Sequence, residues 1–155
     1  AQRIATITKR HDIIDAVVNS NTSSVPEQLK AAKVLSTVSE AEEFKGITEA
    51  LNRVINISAK AQEDASGEIS EERLETESER TLVKAIKELQ SKVQTLTPEE
   101  LYSHLEAMAP KINDFFNENM VMVDDEETRR NRLRFLGLLS QIILDLADFT
   151  SLIVK

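Results

Sequence analysis

The sequence predicts an all-α fold, a bundle of six or seven helices, and three observations support this. Only 3 Gly and 3 Pro occur in 155 residues, fewer than sheets and their tight turns usually need. Apolar residues recur at intervals of three and four along most of the chain, which is the period of an amphipathic helix. Neither strand-like alternation of useful length nor an internal repeat is found. We therefore expect residues 1–155 to form a single all-α domain.

The first helices are predicted from apolar stripes and from residues typical of helix starts. Pro26 fits the first turn of a helix, and Ser39 is expected to cap the next one, whose apolar residues begin at Phe44. A polar loop separates Pro26 from the preceding stripe. The segments expected to be helical in this part of the chain are 2–10, 12–19, a helix starting at Pro26, and the helix capped by Ser39.

Residues 62–70 form the clearest candidate for a flexible linker. A strongly acidic stretch follows, with six Glu and two Arg between Glu68 and Arg80. Apolar residues from Leu82 to Leu96 then repeat by four and three, which predicts one helix from about Glu71 to Thr95. We expect its polar first turns to project into solvent.

The next helix has a well-defined predicted start. Thr97 and Glu100 form a capping box around Pro98, which fits the first helical position. Pro110 disfavours helix at the residue before it, so we expect a break or kink there and a separate short helix over 110–117.

Asp125 is expected to cap the last helix, which runs to about Leu152. This helix is apolar almost all round beyond Leu133, and we expect it to lie at the centre of the core. Charged and polar residues interrupt the apolar stretch from 133 to 154, so no membrane span is predicted.

Composition excludes several function classes. The formal net charge of −8 argues against a nonspecific nucleic-acid binder, because the overall field repels phosphate. Cys is absent, which excludes a disulfide scaffold and thiolate chemistry. His11 and His104 are the only histidines and lie far apart, and no phosphate loop or nucleophile elbow is present. We predict no catalytic residue, no metal site and no cofactor in this chain, which begins with Ala1 and is expected to be a fragment.

The most distinctive segment is 124–134, where four acidic residues precede four arginines. Glu126 and Arg130 stand four residues apart with the acid first, the favourable order on a helix. One interpretation is a helix start that neutralises its own charge. The other is a guanidinium cluster that binds phosphates or base edges. Arg129 and Arg132 share a face with apolar residues, so we expect at least one of them to be buried.

Residues 110–133 contain a proline, a double phenylalanine, a Met-Val-Met-Val run, four acids and Arg-Arg-Asn-Arg-Leu. This pattern resembles the C-terminal region of bacterial glycyl-tRNA synthetase beta subunits. Segments 12–17, 53–57 and 147–152 also resemble that region in order and spacing. The resemblance implies an all-α, DALR-type anticodon-binding domain, a class shared with arginyl-tRNA synthetases.

The resemblance implies tRNA docking within glycine–tRNA ligase, with no chemistry in this fragment. The implied partners are glycine tRNA, the alpha subunit and the rest of the beta chain, in the cytoplasm and without DNA or a membrane. ATP and Mg²⁺ would be used by the whole enzyme only. Matching the family's Arg-x-Asn-Arg motif gives the first candidates for tRNA contact, and neighbouring basic residues give the others. The candidates are Arg129, Asn131 and Arg132, then Arg130 and Arg134 for phosphates, and Arg53 and Lys60 as secondary contacts.

A competing interpretation is a protein-interaction or subunit-assembly module. In that case the acidic segment 68–80 and the apolar seam from Leu82 to Leu96 would dock another helix. Binding to tRNA that depends on the anticodon would separate the two interpretations.

Overall fold

In the computed structural model, residues 10–61 and 67–154 are described. Over these residues the chain forms six α-helices, three short 3₁₀ turns and no strand, which confirms the predicted all-α class. The expected helix over 2–10 and residues 62–66 of the expected linker lie outside the described residues, apart from Arg10. The helices are α1 (His11–Val18), α2 (Val25–Val38), α3 (Phe44–Lys60), α4 (Glu77–Lys92), α5 (Pro98–Glu118) and α6 (Glu126–Leu146). The 3₁₀ turns are Glu71–Arg73, Val93–Thr95 and Phe149–Ser151.

Helix α6 is the central helix, as predicted, and packs against α3, α4 and α5. Its residues Leu136, Leu139 and Ile143 are fully buried. On α4, the seam residues Leu82, Ile86 and Leu89 are buried against α5 and α6 of the same chain. Because this chain already occupies the seam, the seam is not available to dock a second protein's helix.

The helix directions bring three helix ends together. Near the starts of α3 and α5 the rings of Phe44 and Tyr102 lie 6.5 Å apart. Near their ends the Arg53 guanidinium carbon lies 4.3 Å from the Phe116 ring centroid, so α3 and α5 are parallel. Helix α6 runs in the opposite direction to α5. The evidence is that Leu146, at the end of α6, lines the same cleft as Pro98 and Leu101 in the first turn of α5. The last turns of α3 and α5 therefore lie at the same end of the bundle as the first turn of α6.

Two predicted helix starts are wrong. Ser39 ends α2 instead of starting α3, since its hydroxyl donates to the carbonyl of Ser36 and its N–H closes the last turn. Helix α4 begins at Glu77 and not near Glu71, because the Thr76 side chain caps it and a separate 3₁₀ turn precedes it. The first turn of α4 is also not all in solvent, since Glu79 is fully buried.

The break expected at Pro110 is also wrong. The capping box at Thr97 and Glu100 starts α5 as predicted, but the helix then continues through Pro110 to Glu118. Proline removes one helical hydrogen bond. Buried side chains on both sides of it, including Met108 and Ile112, anchor the two halves of the helix to the same core.

The last helix begins where predicted and ends earlier. Asp125 caps α6, and its carboxylate accepts from the N–H of Thr128 at 3.2 Å. The helix stops at Leu146, short of the expected end at Leu152. At this point the N–H of Asp148 donates to the carbonyl of Ala16 on α1 at 2.8 Å, a tertiary contact that replaces the next helical bond.

Candidate nucleic-acid interface

Arg132 is buried at the start of the central helix and makes contacts in three directions. Its side chain is 5% exposed, and its Nε donates to Oε2 of Glu79 on α4 at 2.9 Å. Its Nη1 donates to the carbonyl of Met120, and its Nη2 donates to Oδ1 of Asn119 at 3.4 Å. Arg132 thus joins α6 to α4 and to the turn after α5, and it has almost no surface for a ligand.

Asn131 is also fully buried, and its amide pairs with backbone. Its Nδ2 donates to the carbonyl of Ser70 at 2.9 Å, and its Oδ1 accepts from the N–H of Ser70 at 2.7 Å. An amide that donates and accepts at one residue fixes both the position and the register of the chain segment it holds. The segment held here is the strap, residues 67–76, which connects the linker region to α4.

The strap lies along the first half of α6 and meets it at further points. Arg73 pairs with Glu127, and its guanidinium also lies 3.9 Å from Asp125. At the other end of the strap Gly67 has φ 108°, and a Cβ there would lie 3.6 Å from Nε of Arg134. Glycine suits this position because φ is positive, whereas the contact with the guanidinium would be an ordinary van der Waals one.

Arg129 fixes the methionine loop, residues 119–125, between α5 and α6. Its Nη1 donates to the carbonyls of Val123 and Asp124, at 2.9 and 3.2 Å. At the start of the loop Asn119 is buried, and its amide bonds to Ser78 and to the carbonyl of Phe115. Arginine side chains thus satisfy the loop's carbonyl groups, and Asn119 ties the start of the loop to α4 and to the last turn of α5.

Arg130 and Arg134 lie on the opposite, outer face of α6. Arg130 pairs with Glu126 at 2.7 Å, which is the predicted i, i+4 contact, and both side chains are about half exposed. A pair in this environment contributes at most about 1 kcal/mol and exchanges partners readily. Arg134 is half-buried beside the strap. Of the α6 candidates, these two face outward.

Arg53 and Lys60 are exposed on α3. The helix directions place Lys60, on the last turn of α3, at the end of the bundle where α6 begins. Arg53 lies over Phe116 on the last turn of α5. We call this end of the bundle the arginine end; it carries Arg53, Lys60, Phe116, Arg129 and Arg130. It unites candidates that are about 70 residues apart in sequence.

The acids next to these arginines are engaged locally. Hydrogen bonds from the hydroxyl and N–H of Thr128 lower the pKa of Asp125, so its charge is committed to capping α6. Glu126 pairs with Arg130, and Glu127 pairs with Arg73. The positive end of the α6 dipole lies at the same place. These contacts reduce the repulsion that these three carboxylates would otherwise exert on a phosphate.

Glu79 and Asn119, which were not predicted from the sequence, are buried partners of the candidate residue Arg132. Glu79 lies three residues before Leu82, so extending the apolar seam backward by one step reaches it. That register indicates burial, and a buried carboxylate requires a cationic partner. Asn119 had no comparable signal, because it follows the end of a helix in a polar run.

The described residues contain no group of three His, Cys, Asp or Glu side chains arranged to hold a metal ion. Within the same residues no helix is both long and apolar enough to cross a membrane.

Comparison with known proteins gives a family match and a set of relatives. The model of the DALR anticodon binding domain family matches residues 47–149, which include every candidate residue discussed above. Similar curated proteins are the glycine–tRNA ligase beta subunits of Pediococcus pentosaceus, 33% identical over 145 residues, and Lactiplantibacillus plantarum, 35% over 148 residues. That of Streptococcus pyogenes is 39% identical over 147 residues. The alignments cover 93–94% of this chain and 20–21% of each relative, so the chain spans about one fifth of their length.

Proposed function

Since the chain belongs to the DALR anticodon binding domain family, we propose that it binds the anticodon arm of glycine tRNA as part of a glycine–tRNA ligase beta subunit. The observation that carries the proposal is the arginine end. There Arg53 and Lys60 of α3 lie at the same end of the bundle as Arg130 of α6, within the residues that match the family.

The seven candidate residues divide into two roles. The outward-facing cations contact the phosphates of the anticodon arm: Arg53, Lys60, Arg130 and Arg134. Arg129, Asn131 and Arg132 act through other residues, because their side chains hold the methionine loop and the strap by backbone carbonyls. They are positioning residues, and they fix the shape of the surface that the RNA meets.

Binding by this chain alone is expected to be weak and sensitive to salt. The net charge of −8 repels RNA over most of the surface, so the few outward cations supply the attraction. Further contacts elsewhere in the longer protein would raise the overall affinity through linked binding. On this proposal the rest of the beta chain, the alpha subunit, ATP and Mg²⁺ belong to the whole cytoplasmic enzyme, and none of its chemistry is done here.

The experiment that tests the proposal is a titration of the chain with glycine tRNA and with the same tRNA carrying a foreign anticodon, at low and moderate salt. We expect tighter binding to the native anticodon, because bases in a single-stranded loop expose their edges to protein groups. Equal binding to both RNAs, lost as salt rises, would reduce the role to electrostatic docking. No binding of either RNA at low salt would contradict the proposal.

A further inference from the structure

The methionine loop presents two apolar side chains to solvent at the arginine end. Met120 is 72% exposed and Met122 is 55% exposed, whereas Val121 between them is buried. Single exposed apolar side chains are common on soluble domains, but two such side chains close together on one loop point to a binding surface. The other exposed large apolar residues of the described chain are Val18, Val25 and Ile153.

The loop is held in place on its inner side, which leaves the two methionines facing outward. The carbonyl of Met120 accepts from the buried Arg132, and the carbonyls that follow Met122 accept from Arg129. Val121 is 5% exposed and anchors the loop in the core. The backbone is therefore fixed while the thioether side chains keep their rotamer freedom, a combination suited to following the shape of a ligand.

Aromatic rings offer little to a nucleic acid on this surface. Single-stranded bases are usually held on aromatic side chains, yet Phe44, Tyr102, Phe115, Phe135 and Phe149 are buried. Phe116 is half-buried and lies under Arg53. Base contacts at the arginine end therefore need another apolar group, and Met120 and Met122 are exposed at this end, on the loop between α5 and α6. Thioether sulfur makes favourable contacts with aromatic rings.

We propose that Met120 and Met122 form a nucleobase-contacting subsite, which receives unstacked bases of the RNA loop while Arg53 and Arg130 hold the neighbouring phosphates. This inference rests on the proposed function. It identifies the residues that contact the bases of the RNA, as distinct from those that contact its phosphates. It also explains why two arginines of α6, Arg129 and Arg132, fix a loop that carries two exposed methionines.

The test uses the methionine methyl signals of the chain labelled with ¹³C-methyl methionine. The sequence contains three methionines, and the third, Met108, is 4% exposed and serves as an internal control. The probes are the anticodon stem-loop of glycine tRNA and a matched stem-loop whose loop nucleotides are abasic. Both probes carry the same phosphates, so only contacts to bases distinguish them.

We expect the intact stem-loop to shift the methyl signals of Met120 and Met122 and to leave that of Met108 in place. The abasic probe is expected to bind without shifting them. Replacing both residues, Met120→Gln and Met122→Gln, should weaken binding of the intact stem-loop about tenfold and leave binding of the abasic one unchanged. The control is Ile153→Gln, which removes an exposed apolar side chain near the start of α3, at the opposite end of the bundle.

The outcomes separate this inference from the proposed function. Binding of the intact stem-loop without any shift of Met120 and Met122 would overturn the subsite and leave the proposed function standing. Equal shifts with the abasic probe would overturn it too, since bases would not be the cause. Methyl signals that respond only to protein concentration would identify contact between copies of the chain instead. Absence of binding by either probe would contradict both proposals.

Discussion

The two faces of the first half of α6 both carry arginine, but the side chains differ in burial and in the contacts that they make. On the inner face Arg132 and Asn131 are buried, and their polar groups bond to Glu79, Met120 and Ser70. On the outer face Arg130 forms only an exposed pair with Glu126. The comparison shows that an arginine-rich motif in a nucleic-acid-binding family includes a buried cation that shapes the surface, beside a more exposed cation that we propose contacts RNA.

The largest expected effect is on the free energy of unfolding, which should differ between a variant of the inner face and a variant of the outer face. Arg132→Ala leaves Glu79 buried without its partner, and we expect the free energy of unfolding to fall by about 3–5 kcal/mol. Urea denaturation followed by circular dichroism measures this. The matched control, Arg130→Ala, removes the same charge two residues away and should change the free energy by less than about 1 kcal/mol. Equal losses in both variants would contradict the distinction between the faces.

A smaller effect is expected from the second inner residue. Asn131→Ala removes both hydrogen bonds to Ser70, and we expect a loss of about 1–3 kcal/mol in the free energy of unfolding. The N–H of Ser70 should also exchange with solvent much faster, which hydrogen exchange detects at that residue. Asn117→Ala, at an exposed position on α5, is the control and should leave this exchange rate unchanged. Unchanged protection of Ser70 in the Asn131 variant would show that other contacts fix the strap.

Variants of the outer face should lose affinity for tRNA and keep the stability of the fold. Arg130→Ala combined with Arg134→Ala is expected to weaken binding of glycine tRNA about ten- to hundredfold. The slope of log K against log salt should fall by about 1–2, because two phosphate contacts are lost. The stability of the fold should stay within about 1 kcal/mol of the original.

The control for that pair removes two exposed cations at other places, Lys33→Ala with Lys45→Ala. Since the change in net charge is the same, any difference in tRNA affinity reports the position of the charges. If both double variants bind tRNA equally well, the outer arginines are not the contact.

The smallest effect concerns the cap of α6. The folded pKa of Asp125 is lowered from 3.8 by its bonds to Thr128, so the cap stabilises the fold above about pH 4 and is lost as the pH falls through the lowered value. Asp125→Asn keeps a capping oxygen but cannot titrate. We expect this variant to match the stability of the original closely at pH 7 and to lose less stability between pH 5 and pH 3. Identical acid dependence in the two proteins would show that the cap does not contribute to it.

The sequence predicted features that depend on local chemistry. Thr97 and Asp125 start their helices as expected, because each side chain can reach the free N–H of a residue three positions later. Ser39 misled for the same reason, since a serine hydroxyl can also donate to a carbonyl in the last turn of the preceding helix.

The candidate site was predictable in its composition but not in its arrangement. Arg129 to Arg134 were found from spacing and resemblance, and burial of at least one arginine was expected. Glu79, the carboxylate partner of Arg132, and Ser70, the partner of Asn131, are 53 and 61 residues away in sequence, so no local pattern identifies them. Whether an arginine faces the RNA or the core depends on these distant contacts.

We propose that the outer arginines contact RNA and that the inner one, Arg132, does not. The most direct test follows the Nε–H signals of the arginine side chains by NMR during a titration with glycine tRNA, each assigned by an Arg→Lys variant. We predict that the signals of Arg130 and Arg134 shift or broaden, while that of Arg132, bonded to Glu79, stays in place. A shift of Arg132 with no change in Arg130 and Arg134 would contradict this account.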